Sequence, residues 1–184
     1  VDTRVTSTSV KNVNGIPYVA YGANQADDEN TNEINNLSDT GQIRVFKYVN
    51  NLAIKVGQDI NGQASNEDGG YNGVSLSDDA TLLAVGFPYV GAIPEPTAEC
   101  VRVYQYNTSN DSWGQLGSNI VKPSSVSDFN TNRTDFGWSV SLVNDDGDTG
   151  NGILVAVGMR LAKNTTDTTN HTANTGNTNN TNNG

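Results

Sequence analysis

The chain has little of the chemistry on which most enzymes depend. Its 184 residues include one cysteine and one histidine. Because Cys100 has no partner within the chain, no internal disulfide framework can form. His171 lies in an Asn/Thr-rich segment, from which a Ser-His-Asp or Cys-His catalytic group would have to recruit it. Acidic residues are scattered over turns. We therefore predict that the chain is not an enzyme.

Basic charge and long apolar runs are also scarce. The chain has 10 Lys and Arg residues against 20 Asp and Glu residues, a net charge of −10 and a pI near 4.3. Such a chain cannot bind nucleic acid by neutralising phosphates, and an anionic membrane surface does not attract it. Hydrophobic residues make up only 34%, in runs of a handful of residues. We expect neither a nucleic-acid partner nor membrane insertion.

What the chain has in abundance is Asn, together with Ser and Thr. A sequence of this composition generates Asn-X-Ser/Thr acceptor patterns by chance, but all of these patterns fall in polar stretches, where a bulky glycan needs to be. The chain opens on Val1 without an apolar signal region, as a processed product or an excerpt of a longer protein would. We predict a secreted or extracellular location, with glycans as partners. The candidate glycosylation sites are Asn36, Asn107, Asn110, Asn132, Asn164, Asn170 and Asn179.

Internal repeats organise most of the chain. Residues 42–48 (Gln-Ile-Arg-Val-Phe-Lys-Tyr) return at 100–106 as Cys-Val-Arg-Val-Tyr-Gln-Tyr. The Val-Ser-Leu segment at 74–76 returns at 140–142, and each copy is followed by a short apolar run that ends at glycine. A third copy of that run lies upstream, at 19–22. Self-similarity of this kind is typical of repeat architectures.

The repeats predict β-structure throughout. Their period-two alternation, β-branched residues and Asn/Asp/Gly-rich turns are typical of strands, and no helical period with caps is present. We predict an all-β fold of repeated four-stranded antiparallel sheets, with one unit near 101–106, 113–120, 137–143 and 153–158. The predicted divisions are a partial first repeat at 1–40, a second repeat at 41–99, a third repeat at 100–163 and a low-complexity tail at 164–184.

Some of these segments resemble FG-GAP-type β-propeller repeats, which integrin alpha subunits and many secreted adhesive proteins carry. They are residues 113–117 (Trp-Gly-Gln-Leu-Gly), 135–142 (Asp-Phe-Gly-Trp-Ser-Val-Ser-Leu) and 154–158. The Phe-Gly pair is kept once, at Phe136-Gly137, and no Gly-Ala-Pro turn is complete. The resemblance implies a partial propeller-like array. Three copies of the run that ends at glycine, but only two of the Arg-Val-aromatic strand, make about two and a half blades, whereas closed propellers have four to eight.

The same resemblance implies a calcium loop at the hairpin that follows residue 143. Asn144, Asp146 and Asp148 alternate as oxygen ligands of such a loop do, but Gly152 stands where an acid is expected. An ordinary Asp/Gly turn is the alternative. Weak calcium binding is therefore the only cofactor we predict.

The tail at 164–184 cannot form a core, because Ala173 is its only apolar residue. It is either a disordered or glycosylated spacer, or a strand that adds to a neighbouring sheet edge. We predict a non-enzymatic extracellular structural subunit that self-assembles into a filament, coat or adhesive layer. Its partners would be copies of itself or a longer parent chain. The alternative is a propeller fragment of an adhesion receptor or lectin that binds a glycan or protein.

Overall fold

A computed structural model describes residues 4–24, 39–88, 99–123, 126–127, 134–145, 152–160 and 163–164. These residues form strands and turns, and no helix among them could cross a membrane. All strand pairs are antiparallel, which confirms the predicted all-β class. The strands are β1 (Val5–Val13), β2 (Ile16–Ala23), β3 (Gln42–Val49), β4 (Leu52–Lys55), β5 (Ile60–Asn61), β6 (Val74–Leu76), β7 (Leu82–Phe87), β8 (Cys100–Asn107), β9 (Ser112–Gln115), β10 (Ile120–Val121), β11 (Val126–Ser127), β12 (Ser139–Asp145), β13 (Gly152–Gly158) and β14 (Lys163–Asn164).

Two larger sheets have the same plan. In the first, β1, β2, β3 and β4 lie side by side and β5 also pairs with β3; in the second, β6, β7, β8 and β9 do so and β10 also pairs with β8. In each sheet the two short strands pair with opposite ends of one long strand, so together they form a broken fourth strand. The break contains a glycine at positive φ, Gly57 at 73° and Gly117 at 72°. Each sheet is therefore four-stranded in plan.

We call β1–β5 unit 1, β6–β10 unit 2, and the β12–β13 hairpin with residues 134–138 unit 3. The first hairpin of every unit has the same register. A serine on its first strand faces an alanine on its second: Ser9 faces Ala20, Ser75 faces Ala84 and Ser141 faces Ala156. The sequence repeat is thus a structural repeat.

The predicted grouping of strands within a unit is wrong. Strands near 101–106 and 113–120 share a sheet with β6 and β7, which precede them, and not with the strands near 137–143 and 153–158. A repeating pattern does not indicate where a unit begins. Backbone pairing defines the limits of a unit: β7 is buried along its whole length and pairs with β6 on one side and β8 on the other, so these strands belong to one sheet.

The core lies between consecutive units in two clusters. The larger joins unit 1 residues such as Ile43 and Val45 to unit 2 residues such as Leu83 and Val85. The smaller joins the opposite face of unit 2 to Phe136 and Leu142 of unit 3. The two clusters therefore cover the apolar side chains of β7 and β8 on both faces of unit 2.

The sequence repeat predicts that Val85 and Val157, which each precede a glycine at the end of an apolar run, are equivalent and buried, and the structure confirms that they are equivalent. Val85 faces Val74 and Val157 faces Val140 in the same hairpin register. Their burial differs, because Val85 is fully buried while Val157 is only partly buried. The reason is topological: β7 has β8 on its second edge, whereas β13 pairs only with β12 within the described residues.

Serine side chains and glycine backbone make the contacts that join one unit to the next. The Ser9 hydroxyl accepts a hydrogen bond from the Leu76 N–H at 3.0 Å, and the Ser75 hydroxyl accepts one from the Leu142 N–H at 3.1 Å. Glycines meet beside them, where a Cβ on Gly86 would overlap the Gly137 carbonyl. The spacing between units is therefore set by backbone contact, which allows no side chain at these glycines.

Candidate functional site

A fully buried ion pair ties a loop of unit 2 to β8. The Arg102 guanidinium meets the Glu67 carboxylate through two hydrogen bonds of 2.7 and 3.0 Å, and each side chain is 1% exposed. The guanidinium also lies 4.0 Å from the ring centre of Phe87. The Gln63 N–H donates to Glu67 Oε2 at 2.6 Å. The two charges therefore pair with each other inside the fold, although the buried Arg102 Nε has no hydrogen-bond partner among the described residues, and neither side chain faces solvent.

A second buried carboxylate, Glu99, organises the turn that begins unit 3. It accepts hydrogen bonds from the Thr134 N–H and hydroxyl at 2.7 and 2.6 Å, and from the N–H groups of Asp135 and Phe136 at 2.9 and 3.3 Å. In unit 2 the matching turn is held by backbone instead, since the Gly69 N–H donates to the Thr40 carbonyl at 2.9 Å. Sequence reasoning missed both buried glutamates, because each lies in or beside a polar loop and has no periodic signal.

Cys100 is also structural. Its side chain is fully buried in the core between units 1 and 2. Burial, together with the nearby Glu67 charge, raises the pKa of the thiol to about 11. A thiol that is both inaccessible and protonated at neutral pH does not form disulfides or act as a nucleophile.

We expect Cys100 to be unreactive in the folded protein. At pH 8 an aromatic disulfide reagent should label at most about a tenth of the chains, because buried thiols are inert. Labelling should become complete in denaturant. Thiol titration by absorbance measures both. Rapid labelling without denaturant, or a native disulfide-linked dimer, would contradict this role.

The described residues only partly cover the predicted calcium loop. Asn144 lies in β12, faces Ile153 and donates its amide N–H to Asp79 Oδ2 at 3.3 Å. Asp146 and Asp148 lie outside the described residues. Within the described part of the chain, no three His, Cys, Asp or Glu residues cluster as metal ligands. Calcium binding at this loop stays a prediction.

Two candidate glycosylation sites lie on the turn between β8 and β9. Asn107 and Asn110 are both exposed, and their side-chain oxygens accept hydrogen bonds from Ser109 N–H at 2.9 Å and the Ser112 hydroxyl at 2.7 Å. Asn164 lies in β14, where it faces Val126 of the same chain. Glycosylation of any of them stays a prediction, and the remaining sites lie outside the described residues: Asn36, Asn132, Asn170 and Asn179.

The same hairpin also carries a surface groove. A groove of about 560 Å³ runs along one face of β8 and β9. Its lining is mainly amide and hydroxyl groups, which donate and accept hydrogen bonds without net charge. The lining residues are Gln105, Tyr106, Asn107, Thr108, Asn110, Ser112, Gly114, Gln115 and Leu116.

The opposite face of this hairpin docks on unit 1. The Trp113 indole N–H donates to the Val56 carbonyl at 2.8 Å, and the Gln58 side chain exchanges hydrogen bonds of 2.9 and 2.7 Å with the Trp113 backbone. Asp111 accepts the Gly57 N–H at 2.9 Å. The receiving residues, which we call the Trp113 socket, are Val56, Gly57, Gln58 and Ile60.

The sequence allows two interpretations of Tyr104, Tyr106, Trp113 and Trp138, a sugar-stacking platform or packing between units, and it favours packing because Tyr104 and Tyr106 take the places of Phe46 and Tyr48 in the repeat. Tyr104 and Trp113 are buried in the core between units 1 and 2, which confirms packing for these two.

Tyr106 completes this hairpin. Its ring lies 5.2 Å from that of Trp113, and its hydroxyl donates to Asp111 Oδ1 at 2.6 Å. That hydrogen bond is the main cause that raises the pKa of Tyr106 to about 12, and the main cause that lowers the pKa of Asp111. At neutral pH Asp111 is therefore an anion, which strengthens its bond to the Gly57 N–H.

Unit 2 presents the same kind of socket on its other face, but without an occupant among the described residues. Leu116 N–H donates to the Val103 carbonyl at 2.7 Å, as Val56 N–H donates to Val45 at 2.8 Å. Leu116 and Ile120 are each 38% exposed, whereas their counterparts Val56 and Ile60 are 3% and 5% exposed. We call Leu116, Gly117, Ser118 and Ile120 the Leu116 surface. It adjoins the polar groove through Leu116.

Comparison with protein-family models and with curated proteins finds no match for this chain. The resemblance to FG-GAP repeats therefore stays a prediction that depends on the residues quoted for it.

Proposed function

We propose that the chain is a non-enzymatic structural protein, secreted and glycosylated, that self-assembles through repeated β-units. One observation carries the proposal: the unit-to-unit interface occurs twice among the described residues, and none of them covers the outer face of unit 3. Unit 1 packs on unit 2 and unit 2 on unit 3 through equivalent serine and glycine contacts. A surface built to stack on copies of itself favours assembly.

Exposed apolar residues support this reading. Val5 and Val10 of β1 are 58% and 62% exposed, and Leu154 of β13 is 64% exposed. These residues lie in the first and last units, where a further unit would cover them. Unpaired sheet edges and apolar faces favour association with another chain. Copies of the chain, or further units of a longer parent chain, are the proposed partners.

The buried charges support a structural role as well. Glu67, Arg102 and Glu99 are each engaged within the fold. The groove presents neutral hydrogen-bonding groups, which suit recognition of a polar surface more than acid–base chemistry. The resemblance to repeats of secreted adhesive proteins adds the extracellular location, with Asn107 and Asn110 as exposed acceptors for glycans.

Native mass measured before and after enzymatic deglycosylation tests the proposal. We expect light scattering to give a mass that is a multiple of one chain and rises with protein concentration. Deglycosylation should lower the mass of each chain toward 19.5 kDa without dissolving the assembly. The control is the same protein in mild denaturant, where the assembly should dissociate. A single-chain mass at all concentrations would refute self-assembly. A chain mass that deglycosylation does not change would refute the prediction that the chain carries glycans.

The groove favours one second candidate, a module that binds glycans. Amide and hydroxyl groups beside the Tyr106 ring are the chemistry that recognises sugars. Titration with oligosaccharides, followed by tyrosine and tryptophan fluorescence, separates the two functions. Saturable binding by a monomeric chain would favour the glycan-binding module.

A further inference from the structure

We propose that unit 3 is completed by a β-hairpin of a β-repeat unit outside these 184 residues, which pairs with the edge of β13 and places a tryptophan on the Leu116 surface. The inference rests on the proposed assembly and specifies the partner: a hairpin in which the tryptophan follows an aspartate by two residues. Unit 2 shows the arrangement, because β8 pairs with β7 and the following strand seats Trp113 on unit 1.

The Leu116 surface has the shape that this tryptophan requires. In the Trp113 socket, a Cβ on Gly57 would meet the indole ring of Trp113 at 2.5–2.9 Å, so only glycine fits beneath it. Gly117 has the same backbone conformation, and no described atom lies within 4 Å of a Cβ placed on it. Positive φ alone does not demand glycine here, since the chain uses Asn51 and Asn66 at φ of 63° and 60°. The empty space beside Gly117 therefore corresponds to the space that the Trp113 indole ring fills beside Gly57.

Two of the hydrogen-bonding groups are repeated as well. The Leu116 carbonyl and the Gly117 N–H stand where the Val56 carbonyl and the Gly57 N–H bind Trp113 and Asp111. Gln58 has no equivalent, because Ser118 occupies its place and is too short for both backbone contacts of the Gln58 amide. The expected partner therefore makes two of the four hydrogen bonds seen in the Trp113 socket.

The chain has no tryptophan to spare for this surface. Trp113 is seated on unit 1. The Trp138 ring lies 5.0 Å from that of Tyr71, and the Arg160 guanidinium lies 4.0 Å from the Trp138 ring centre. Residues 165–184, which follow β13 at about the spacing at which β8 follows β7, contain no tryptophan or other aromatic residue except His171. A second copy stacked through unit 1 offers Ala53 at the Trp113 position. The hairpin therefore comes from a β-repeat unit that is neither within residues 1–184 nor unit 1 of a second copy.

A fusion protein tests the proposal on the full chain. A second copy of residues 100–121 is appended after Gly184 through a flexible Gly/Ser linker, which gives the hairpin a high local concentration. We expect the midpoint of thermal unfolding to rise by roughly 4–8 °C, the shift that a buried tryptophan anchor gives in a chain of this size. The appended tryptophan should emit at shorter wavelength as it leaves water.

Three variants make the outcome decisive. Replacing the appended tryptophan with alanine should abolish the rise, as should Gly117→Asn, which tolerates positive φ but fills the space. Gly15→Asn is the matched control, since Gly15 has φ of 83° and no described neighbour within 4 Å of a Cβ; the rise should persist there. No rise, or a rise that survives the alanine change or Gly117→Asn, would overturn the proposal. A monomeric native mass with a rise in the fusion would instead refute only self-assembly.

Discussion

Replacing Arg102 with Met lowers the free energy of unfolding by about 3–5 kcal/mol, the cost of leaving one partner of a buried ion pair alone. Glu67 is 1% exposed, so water cannot replace the two hydrogen bonds that the guanidinium donates. The contact between the guanidinium and Phe87 is lost at the same time. Urea unfolding followed by circular dichroism measures the change.

The repeat supplies a matched control. Arg44 stands in unit 1 where Arg102 stands in unit 2, but its side chain is 40% exposed and pairs with Asp59 at 3.0 Å near the surface. Lys55 also reaches Asp59, at 2.9 Å, and would keep that carboxylate paired. We expect Arg44→Met to cost at most about 1 kcal/mol. Equal losses for the two variants would show that burial of the pair is not what stabilises unit 2.

A double variant separates the charge from the packing. Arg102→Met with Glu67→Leu removes both charges, so no unpaired ion stays buried. We expect it to recover more than half of the loss, as replacement of buried ion pairs by apolar residues often does. Recovery should be incomplete, because the Gln63 N–H loses its acceptor.

Much of the fold could be predicted from the sequence because its strands carry strong local signals. The alternating Arg-Val-aromatic strand and the apolar run ending at glycine fall on β3, β7, β8 and β13. Packing of Tyr104 between units could be predicted because Tyr104 takes the place of Phe46 in the repeat. The limits of each unit could not be predicted, because a repeating pattern has no starting point and only backbone pairing joins β7 to β8.

The candidate site could not be predicted from the sequence, because its contacts join residues that are far apart along the chain. Glu67 and Glu99 sit in or next to polar loops, and only the folded chain brings them to Arg102 and to residues 134–136. The Leu116 surface becomes visible only by comparison with the buried Val56. Leu116 and Val56 occupy equivalent places in the sequence repeat. They differ in exposure, because the Trp113 hairpin of unit 2 covers Val56 and no described residue covers Leu116 in the same way.

The glycine contact between units gives the second large expected effect. Gly86→Ala should lower the free energy of unfolding by about 3 kcal/mol, because its Cβ would overlap the carbonyl oxygen of Gly137 and backbone cannot move aside as a side chain can. Gly114→Ala is the matched control within the same sheet. No described atom lies within 4 Å of a Cβ on Gly114, so we expect a change within about 0.5 kcal/mol.

The two tryptophans report which interface between units Gly86→Ala disturbs. Trp113 lies between units 1 and 2, whereas Trp138 packs on Tyr71 between the turns of units 2 and 3. Because Gly86 meets Gly137 of unit 3, its substitution should disturb the environment of Trp138 and leave that of Trp113 unchanged. Near-ultraviolet circular dichroism of Gly86→Ala, compared in Trp113→Phe and Trp138→Phe backgrounds, resolves the two signals. Equal disturbance of both tryptophans would mean that the glycine contact stabilises the whole stack rather than one interface.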